Sequence, residues 1–329
     1  GNQLYEGGIN EVLIFNGFLT ETEITKVNYY LSRKWGLQAS MDSDQDGYFD
    51  NTEETFGTSP IDATDVPSVD FSDSVDAQIG ELSTIDDTIE ESIELWIDAA
   101  NIDFLSNATV SDGESITRWY DLSGNGYSAS QPLASLQPVY SSENASIIFD
   151  GVDDYLAIED KYYQTLNLEN INIFAVFESD VNSSTEVTLA SFDRSDYWRL
   201  SVFTANNSIN GNGFLTGNSS GIDDLGGSDY TDGNTHILRA FYEKDTSPYN
   251  KGIYIDGQLD GQTVAHSNQA LGVNSVRYGY IGNCSEALTF NQEVSGCEYN
   301  GKLFEMIIIE DVLTDRQVAE INYYLSKKW

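Results

Sequence analysis

Positive charge is scarce in this chain. Its 329 residues include 15 Lys and Arg against 54 Asp and Glu, which gives a formal net charge of −39 at pH 7. Nucleic acids and anionic membranes both require a basic surface, and here the cations are scattered singly along the sequence. The composition therefore excludes nucleic acid as a partner.

Histidine, cysteine and long apolar runs are also scarce. Two histidines cannot build a three-histidine zinc site, and the sequence contains neither a phosphate-binding loop nor a dinucleotide fingerprint. No apolar run approaches the roughly 20 residues that span a bilayer, so we do not expect direct membrane insertion. A composition that is 40% hydrophobic and 12% aromatic nevertheless predicts a large buried core.

An internal repeat is the first positive signal. Residues 4–35 align without a gap on residues 298–329, and 13 of the 32 positions are identical. Each copy is typical of a strand followed by a helix, and a capping-box motif at Thr20 or Thr314 marks the start of each helix. We predict that residues 1–36 are the tail of a preceding domain of the same kind. Docking of this tail on the main domain or on a neighbouring chain is the alternative.

The connector, residues 37–89, carries a calcium-loop motif. Between Gly36 and Thr117 there are 21 acidic residues and no Lys or Arg, so this segment would repel itself without a cation. Residues 42–53 fit the twelve-position loop, with oxygen donors at positions 1, 3, 5, 9 and 12, a backbone carbonyl at 7 and glycine at 6. The predicted Ca²⁺ ligands are Asp42, Asp44, Asp46, the carbonyl of Tyr48, Asp50 and Glu53.

The same segment supports a first family resemblance. Residues 42–65 resemble the thrombospondin type 3 and dockerin-like calcium repeats that join domains of secreted proteins. Gly57 and Pro60 stop a following helix, so only the loop ligands are carried over. The resemblance implies a calcium-stiffened connector in a secreted or cell-surface protein. In that setting we expect Cys284 and Cys297, which enclose twelve residues, to form a disulfide.

The main domain, residues 90–329, alternates short apolar runs with clusters of Gly, Asn, Asp and Ser. This pattern predicts an all-β fold, an antiparallel jelly-roll sandwich with one C-terminal helix. The predicted strands span residues 93–97, 145–149, 155–158, 171–177, 187–192, 197–203, 236–242, 252–255, 276–281 and 303–309.

Four segments of the main domain carry a second resemblance. They are residues 94–99, 118–126, 149–156 and 301–329. These segments are similar to the concanavalin A-like lectin/glucanase superfamily and, within it, to laminin G-like bacterial domains. The resemblance implies the sandwich fold, but the superfamily includes sugar-binding, adhesion and protein-binding modules as well as glycosidases. Because some members bind an ion near such loops, Asp121, Asp153 and Asp154 form a candidate second metal site.

Catalytic residues are not predicted. Retaining glucanases of this superfamily place paired carboxylates about 5 Å apart on one strand face. Glu94 and Asp98 share a face, but Trp96 lies between them and no third acid follows in register. We therefore expect no enzymatic activity.

The predicted strand 197–203 is the candidate glycan-binding face. Alternation places Tyr197 and Arg199 on one side, and a half-exposed aromatic ring with polar neighbours is what a sugar requires. Asp193 and Arg194 in the preceding turn extend this face. An ordinary half-exposed outer strand is the alternative.

The repeat, the calcium motif and the resemblance predict a non-catalytic repeat module of a secreted, calcium-stiffened adhesin or filament. The expected cofactor is Ca²⁺. The expected partners are glycans or a neighbouring cell-surface protein, and adjacent repeats of the same array. Two alternatives stay open, a purely structural spacer and an accessory carbohydrate-binding module of a polysaccharide-degrading enzyme.

Overall fold

The structure is a computed structural model that divides into two units, Gly1–Ser68 and Val69–Trp329. The described residues are 9–38, 41, 43–44, 50, 59–63, 89, 92–165, 167–180, 186–204, 211–218, 221–246, 250–260, 269–292 and 296–329. Among their helices, none combines the length and apolar character needed to cross a bilayer.

In the first unit, one helix follows a segment that is not part of a strand ladder. Helix α1 spans Glu21–Trp35 and begins at the predicted capping box, where the Thr20 side chain accepts from the Glu23 backbone and the Glu23 carboxylate accepts from the Thr20 backbone. It ends at Gly36, whose φ of 67° suits a glycine C-cap. Residues 10–15, which the sequence predicts to be a strand, have no ladder partner in the described structure.

The second unit is a sandwich of two eight-stranded antiparallel sheets, built from its described residues. The strands are β1 (Ile93–Asp98), β2 (Arg118–Trp119), β3 (Ala129–Ser130), β4 (Val139–Ser141), β5 (Ser146–Asp150), β6 (Leu156–Tyr163), β7 (Asn170–Glu178), β8 (Val187–Ser191), β9 (Trp198–Thr204), β10 (Gly211–Asn218), β11 (Gly221–Gly226), β12 (Thr235–Glu243), β13 (Lys251–Ile255), β14 (Gln258–Leu259), β15 (Arg277–Ile281) and β16 (Asn300–Ile309). Helix α2 spans Asp315–Lys328.

The strand order places the C-terminal strand at the centre of the first sheet. That sheet runs β14-β13-β12-β7-β16-β5-β4, with β1 paired to β16 on the β5 side. The second sheet runs β11-β10-β9-β8-β15-β6-β3-β2. The predicted all-β jelly-roll sandwich with a C-terminal helix is confirmed.

Two layers of apolar side chains hold the sandwich together. The main core lies between the sheets, where alternate residues of β7, such as Ile173 and Phe177, meet residues of the second sheet such as Trp198. The other face of the first sheet packs against α2, through residues such as Phe174 on the sheet and Ile321 on the helix. Strand β7 is therefore buried on both faces, which explains its continuous apolar sequence.

The ten predicted strands are all present, with ends that differ by a few residues. The largest difference is in β6, which continues to Tyr163 although residues 155–158 were predicted to be the whole strand. The short strands β2, β3, β4 and β14 and the hairpin of β10 and β11 were not predicted. The β10–β11 hairpin is rich in glycine, a residue that the strand pattern does not favour.

Candidate functional site

An exposed group of aromatic rings lies on the outer face of the second sheet, and we call it the aromatic patch. It comprises Tyr162, Tyr278 and Phe290, with ring centroids 5.3 Å apart for the two tyrosines and 6.4 Å apart for Tyr278 and Phe290. Tyr162 is 42% exposed and Phe290 is 41% exposed. Tyr278 and Phe290, together with Glu159 and Asp160, line a concave surface whose volume is about 320 Å³.

An irregularity between β6 and β15 creates this surface. Tyr162 lies opposite Tyr278 and Ala157 lies opposite Tyr280, so four residues of β6 face a single residue of β15. Residues 158–161 therefore form a bulge that has three more residues than the opposing strand. Bulges of this kind redirect side chains and are common beside binding sites.

The backbone conformation of Asp160 shows how the bulge turns. Its φ is 54°, in the left-handed region that Asp tolerates better than most residues. Opposite the bulge, a Cβ on Gly279 would approach the Phe192 ring to 2.1 Å, so only glycine fits there. The bulge places two carboxylates next to aromatic rings, a combination that regular alternation would not produce.

The disulfide-closed loop supplies one wall of the patch. Cys284 and Cys297 are bonded, with their Cα atoms 5.5 Å apart, so the predicted disulfide is confirmed. The backbone amide of Tyr278 donates to the Ala287 carbonyl over 3.0 Å and fixes the loop to β15. Phe290 follows the buried Ala287 by three residues and is thereby held at the surface.

One of the two acids of the site is paired. The Arg118 guanidinium lies 2.5 Å from the Glu159 carboxylate and stacks over the Tyr120 ring at 4.7 Å. Because this ion pair is partly exposed, it contributes little to stability. The edge of the concave surface therefore carries a cationic hydrogen-bond donor, Arg118, next to the carboxylate acceptor of Glu159.

The predicted glycan-binding face is not exposed. Tyr197 and Arg199 are buried, as is every residue from 197 to 203, because β9 lies inside the second sheet and both of its faces are covered. The Tyr197 hydroxyl donates to two backbone carbonyls, and the Arg199 guanidinium binds the Glu186 carboxylate at 3.1 Å. The expectation of a half-exposed face is therefore wrong.

The two residues of the preceding turn are placed differently from each other. Asp193 is buried and forms an ion pair with Arg277. Arg194 is half-buried. With Asp193 engaged in the interior, this turn does not extend an open sugar-binding face.

Asp121 does not join Asp153 and Asp154. Its buried carboxylate accepts from the backbone amides of Trp96 and Tyr127 at 3.0 and 2.9 Å, so it anchors a turn to β1. The residue that does join them is Asp150, and one ligand oxygen of each of these three acids lies within 4.8 Å of the others. The structure thus corrects the membership of the candidate second metal group.

Burial raises the pKa of Asp154 to about 6, and the charges of Asp150 and Asp153 add to this effect. The Asp150 backbone amide donates to the Asp154 carboxylate and opposes it. A cation among the three acids would relieve their repulsion. The group could therefore hold a hard cation such as Ca²⁺.

The predicted calcium loop falls mostly outside the described residues. Its ligands outside them are Asp42, Asp46, Tyr48 and Glu53. Of the other two, Asp44 is half-buried and Asp50 is buried. The Asp50 carboxylate accepts from the Ser43 backbone amide and hydroxyl, both at 2.9 Å. The calcium site stays a prediction.

Two carboxylate pairs meet across strands, and a lysine lies between the members of each. Asp98 and Glu305 both bind the Lys328 ammonium, at 2.5 and 2.8 Å, in a buried cluster. Glu94 and Glu310 similarly bind Lys161, beside a cavity of about 230 Å³. Each ammonium offsets part of the charge of its two acids, an arrangement typical of a structural ion pair, although burial and the charge of Glu305 raise the pKa of Asp98.

Comparison with known proteins finds similarity to solved structures only. No family model matches the sequence, and no curated protein matches it. Among solved structures, the Trypanosoma rangeli sialidase in complex with sialic acid is similar with a TM-score of 0.43 and 9% identity, over 71% of this chain and 33% of that chain.

Toxin binding domains are similar to the same degree. The botulinum neurotoxin serotype D/C VPI 5993 binding domain has a TM-score of 0.44 and 13% identity, over 72% of this chain and 53% of that one. The botulinum neurotoxin DC binding domain in complex with SialylT has a TM-score of 0.44 and 14% identity, over 72% and 52%. This chain thus spans about a third to about half of the length of these structures.

Proposed function

We propose that the sandwich is a non-catalytic carbohydrate-binding module and that the aromatic patch contacts the sugar. The observation that carries this proposal is a concave surface on which the rings of Tyr278 and Phe290 lie beside Glu159 and Asp160, with the half-exposed ring of Tyr162 next to that of Tyr278. The apolar faces of sugar rings stack on aromatic side chains, while carboxylates accept hydrogen bonds from sugar hydroxyls.

Charge at the patch favours neutral glycans. The protein carries a formal net charge of −39, and Glu159 and Asp160 face the concave surface. A sugar carboxylate or sulfate placed there would be repelled, more strongly at low salt. We therefore propose neutral polysaccharides as ligands and expect acidic oligosaccharides to bind more weakly.

The disulfide-closed loop would improve this binding by fixing one wall of the site in advance. Ordering a side chain or loop on binding weakens affinity, and a loop that is already ordered avoids that loss. Here the Cys284–Cys297 bond and the Tyr278–Ala287 hydrogen bond hold the segment that carries Phe290. Removal of the disulfide is expected to reduce the free energy of glycan binding more than it reduces the free energy of unfolding.

The test is binding of soluble neutral β-glucans, mannans and galactans, measured by calorimetry, with acidic oligosaccharides as comparison. Tyr162→Ala and Phe290→Ala are expected to lower affinity roughly tenfold or more, because buried aromatic contacts dominate such interfaces. Tyr30→Ala is a matched control, since Tyr30 is 46% exposed but belongs to α1. Wild-type protein that binds none of the neutral glycans would contradict the proposal and favour a structural spacer. Variants that bind as wild type does would show that the aromatic patch is not the binding site.

We also propose that Ca²⁺ binds the loop of residues 42–53 and stiffens the connector of a secreted surface protein. The motif and the run of 21 acids without a cation support this role. Calorimetry on chelator-treated protein should give a heat of Ca²⁺ binding that Asp42→Asn with Asp46→Asn removes. An unchanged heat in that variant would assign the ion to another site, such as the group around Asp154.

A further inference from the structure

The repeated segment reproduces a side-chain cluster as well as a sequence. In the N-terminal copy, residues 9–35, which we call the orphan unit, the Glu11 carboxylate accepts three hydrogen bonds. The donors are the Tyr30 hydroxyl at 3.2 Å, the Lys34 ammonium at 3.0 Å and the Trp35 indole at 3.0 Å. An acid in the strand segment is thus tied to three residues of the helix.

The same cluster occurs in the C-terminal copy, residues 303–329, which we call the closing unit. Its acid is Glu305, at the position equivalent to Glu11. The donors are the Tyr324 hydroxyl at 2.9 Å, the Lys328 ammonium at 2.8 Å and the Trp329 indole at 2.6 Å. The two units therefore share one local arrangement, with the helix held to the preceding segment through a single carboxylate.

The orphan unit and the closing unit differ in how far their apolar side chains are buried. Ile14 and Ile308 are the same residue type at equivalent positions, yet Ile14 is 90% exposed and Ile308 is 3% exposed. Four further pairs show the same contrast. Exposed Ile9, Val12, Leu13 and Phe15 correspond to buried Leu303, Met306, Ile307 and Ile309.

The sandwich shows what covers this face in the closing unit. Strand β16 is inserted between β7 on one side and β5 and β1 on the other. It thus pairs its backbone along both edges and buries both of its faces, one in the main core and one under α2. The orphan unit has the sequence for this position but no strands around it among the described residues of its own unit.

We propose that residues 9–35 close a second sandwich of this same fold, which a preceding copy in the same polypeptide supplies. The equivalent place in the sandwich of residues 93–309 is already filled by β16 and α2. The closing segment recurs at an offset of 294 residues, with the connector and the sandwich strands between its two copies, as expected for one period of a tandem array.

The cluster also defines the chemistry of the missing partner. In the closing unit, the sandwich contributes Asp98 to Lys328 and the Trp96 indole to Glu305. In the orphan unit, the corresponding ammonium of Lys34 is 43% exposed. The partner sandwich is therefore expected to present an acid to Lys34 and an indole N–H to Glu11. This inference does not depend on the glycan-binding function.

The first experiment is a transplant in the full chain. Residues 298–329 are replaced by a second copy of residues 4–35, and a chain that ends at residue 297 serves as the negative control. The transplant is expected to keep one cooperative thermal transition, lowered by no more than roughly 10 °C, and slow amide exchange in β7. The truncated chain is expected to lose both.

Packing differences at a few core positions call for a second transplant. This variant keeps Phe304, Met306 and Ile309 of the closing unit and takes every other residue from residues 4–35. If neither transplant shows a cooperative transition or protection of β7, the orphan unit does not fit a sheet of this fold and the proposal is overturned. Folding of either transplant supports it.

A second experiment compares equivalent substitutions in the unaltered chain. Ile14→Ser is expected to leave the unfolding midpoint of the sandwich unchanged, whereas Ile308→Ser should lower it by roughly 10 °C. If Ile14→Ser lowers the midpoint comparably, the orphan unit packs on its own sandwich and the proposal is wrong. A dimer in sedimentation analysis that Ile14→Ser dissociates would also overturn it, in favour of a second copy as partner.

Discussion

The orphan unit and the closing unit have the same local structure in opposite surroundings. Both helices begin at a capping box, and both are held to the preceding segment through one glutamate. Only the closing unit contains a strand, because a strand needs neighbours for its backbone groups whereas a helix satisfies its own. The comparison shows that neighbouring residues fix the helix and the cluster, while the strand depends on distant ones.

The surroundings also change the energetic role of the shared cluster. Glu305 and Lys328 are buried, so loss of either would remove an ion-pair partner from a charged group in the interior. Glu11 and Lys34 are near solvent, where water replaces a lost partner. The same hydrogen bonds are therefore expected to matter for stability in one copy and hardly at all in the other.

The largest expected effect is on removal of the buried acid. Glu305→Ala should lower the free energy of unfolding by about 3–5 kcal/mol, since it leaves the Lys328 ammonium with Asp98 alone and removes the acceptor for two indoles. Urea denaturation followed by tryptophan fluorescence measures this change.

Glu11→Ala is the matched control for that substitution. It should leave the midpoint of the sandwich transition unchanged, because the Glu11 cluster lies near solvent and belongs to residues 1–68, outside the sandwich. Equal destabilisation by the two substitutions would break the comparison, because it would mean that the orphan unit is buried in the isolated chain.

A smaller effect is expected on the pH dependence of stability. Burial and the charge of Glu305 raise the pKa of Asp98 above its ordinary value of 3.8, although Lys328 opposes them. The folded state therefore holds this proton more tightly than the unfolded chain. The contribution of Asp98 to stability should then increase as the pH falls from neutrality towards 3.8, and decrease again as the pH rises through the folded-state pKa.

Asp98→Asn isolates this contribution, because it removes the titrating group and keeps an acceptor for the Ala100 amide. Thermal melting is measured for wild type and variant at pH 7 and pH 5. The melting temperature of wild type should increase relative to that of the variant when the pH is lowered from 7 to 5. For Glu11 in the orphan unit, the shift in pKa has the opposite sign, because hydrogen bonds from Lys34 and Trp35 lower its pKa. A wild-type chain that loses stability relative to Asp98→Asn on acidification would contradict the assignment.

The smallest expected effect concerns the two capping boxes. Thr314→Ala should lower the free energy of unfolding by about 1 kcal/mol, because the first turn of α2 loses a side-chain acceptor and α2 is packed on the sheet. Thr20→Ala removes the same bond from α1 and should speed amide exchange in that helix without shifting the sandwich transition. A shift caused by Thr20→Ala would show coupling between the two units.

The candidate site shows where sequence patterns failed. Alternation predicted an exposed face at Tyr197 and Arg199, but it cannot report whether the second face of a strand is covered by other segments. The aromatic patch was missed because the strand was expected to stop before the polar residues at 159–161. A bulge allows the strand to continue through them and turns Tyr162 towards Tyr278.

Sequence alone determined the features of this protein that short segments encode: the ten predicted strands, the capped helices and the repeat. It also indicated the disulfide between two nearby cysteines. Tertiary structure alone decided which rings are exposed, which acids meet and that a lysine stands between them. Those properties arise where residues far apart in sequence come together, because burial and charge at each position depend on every element packed around it.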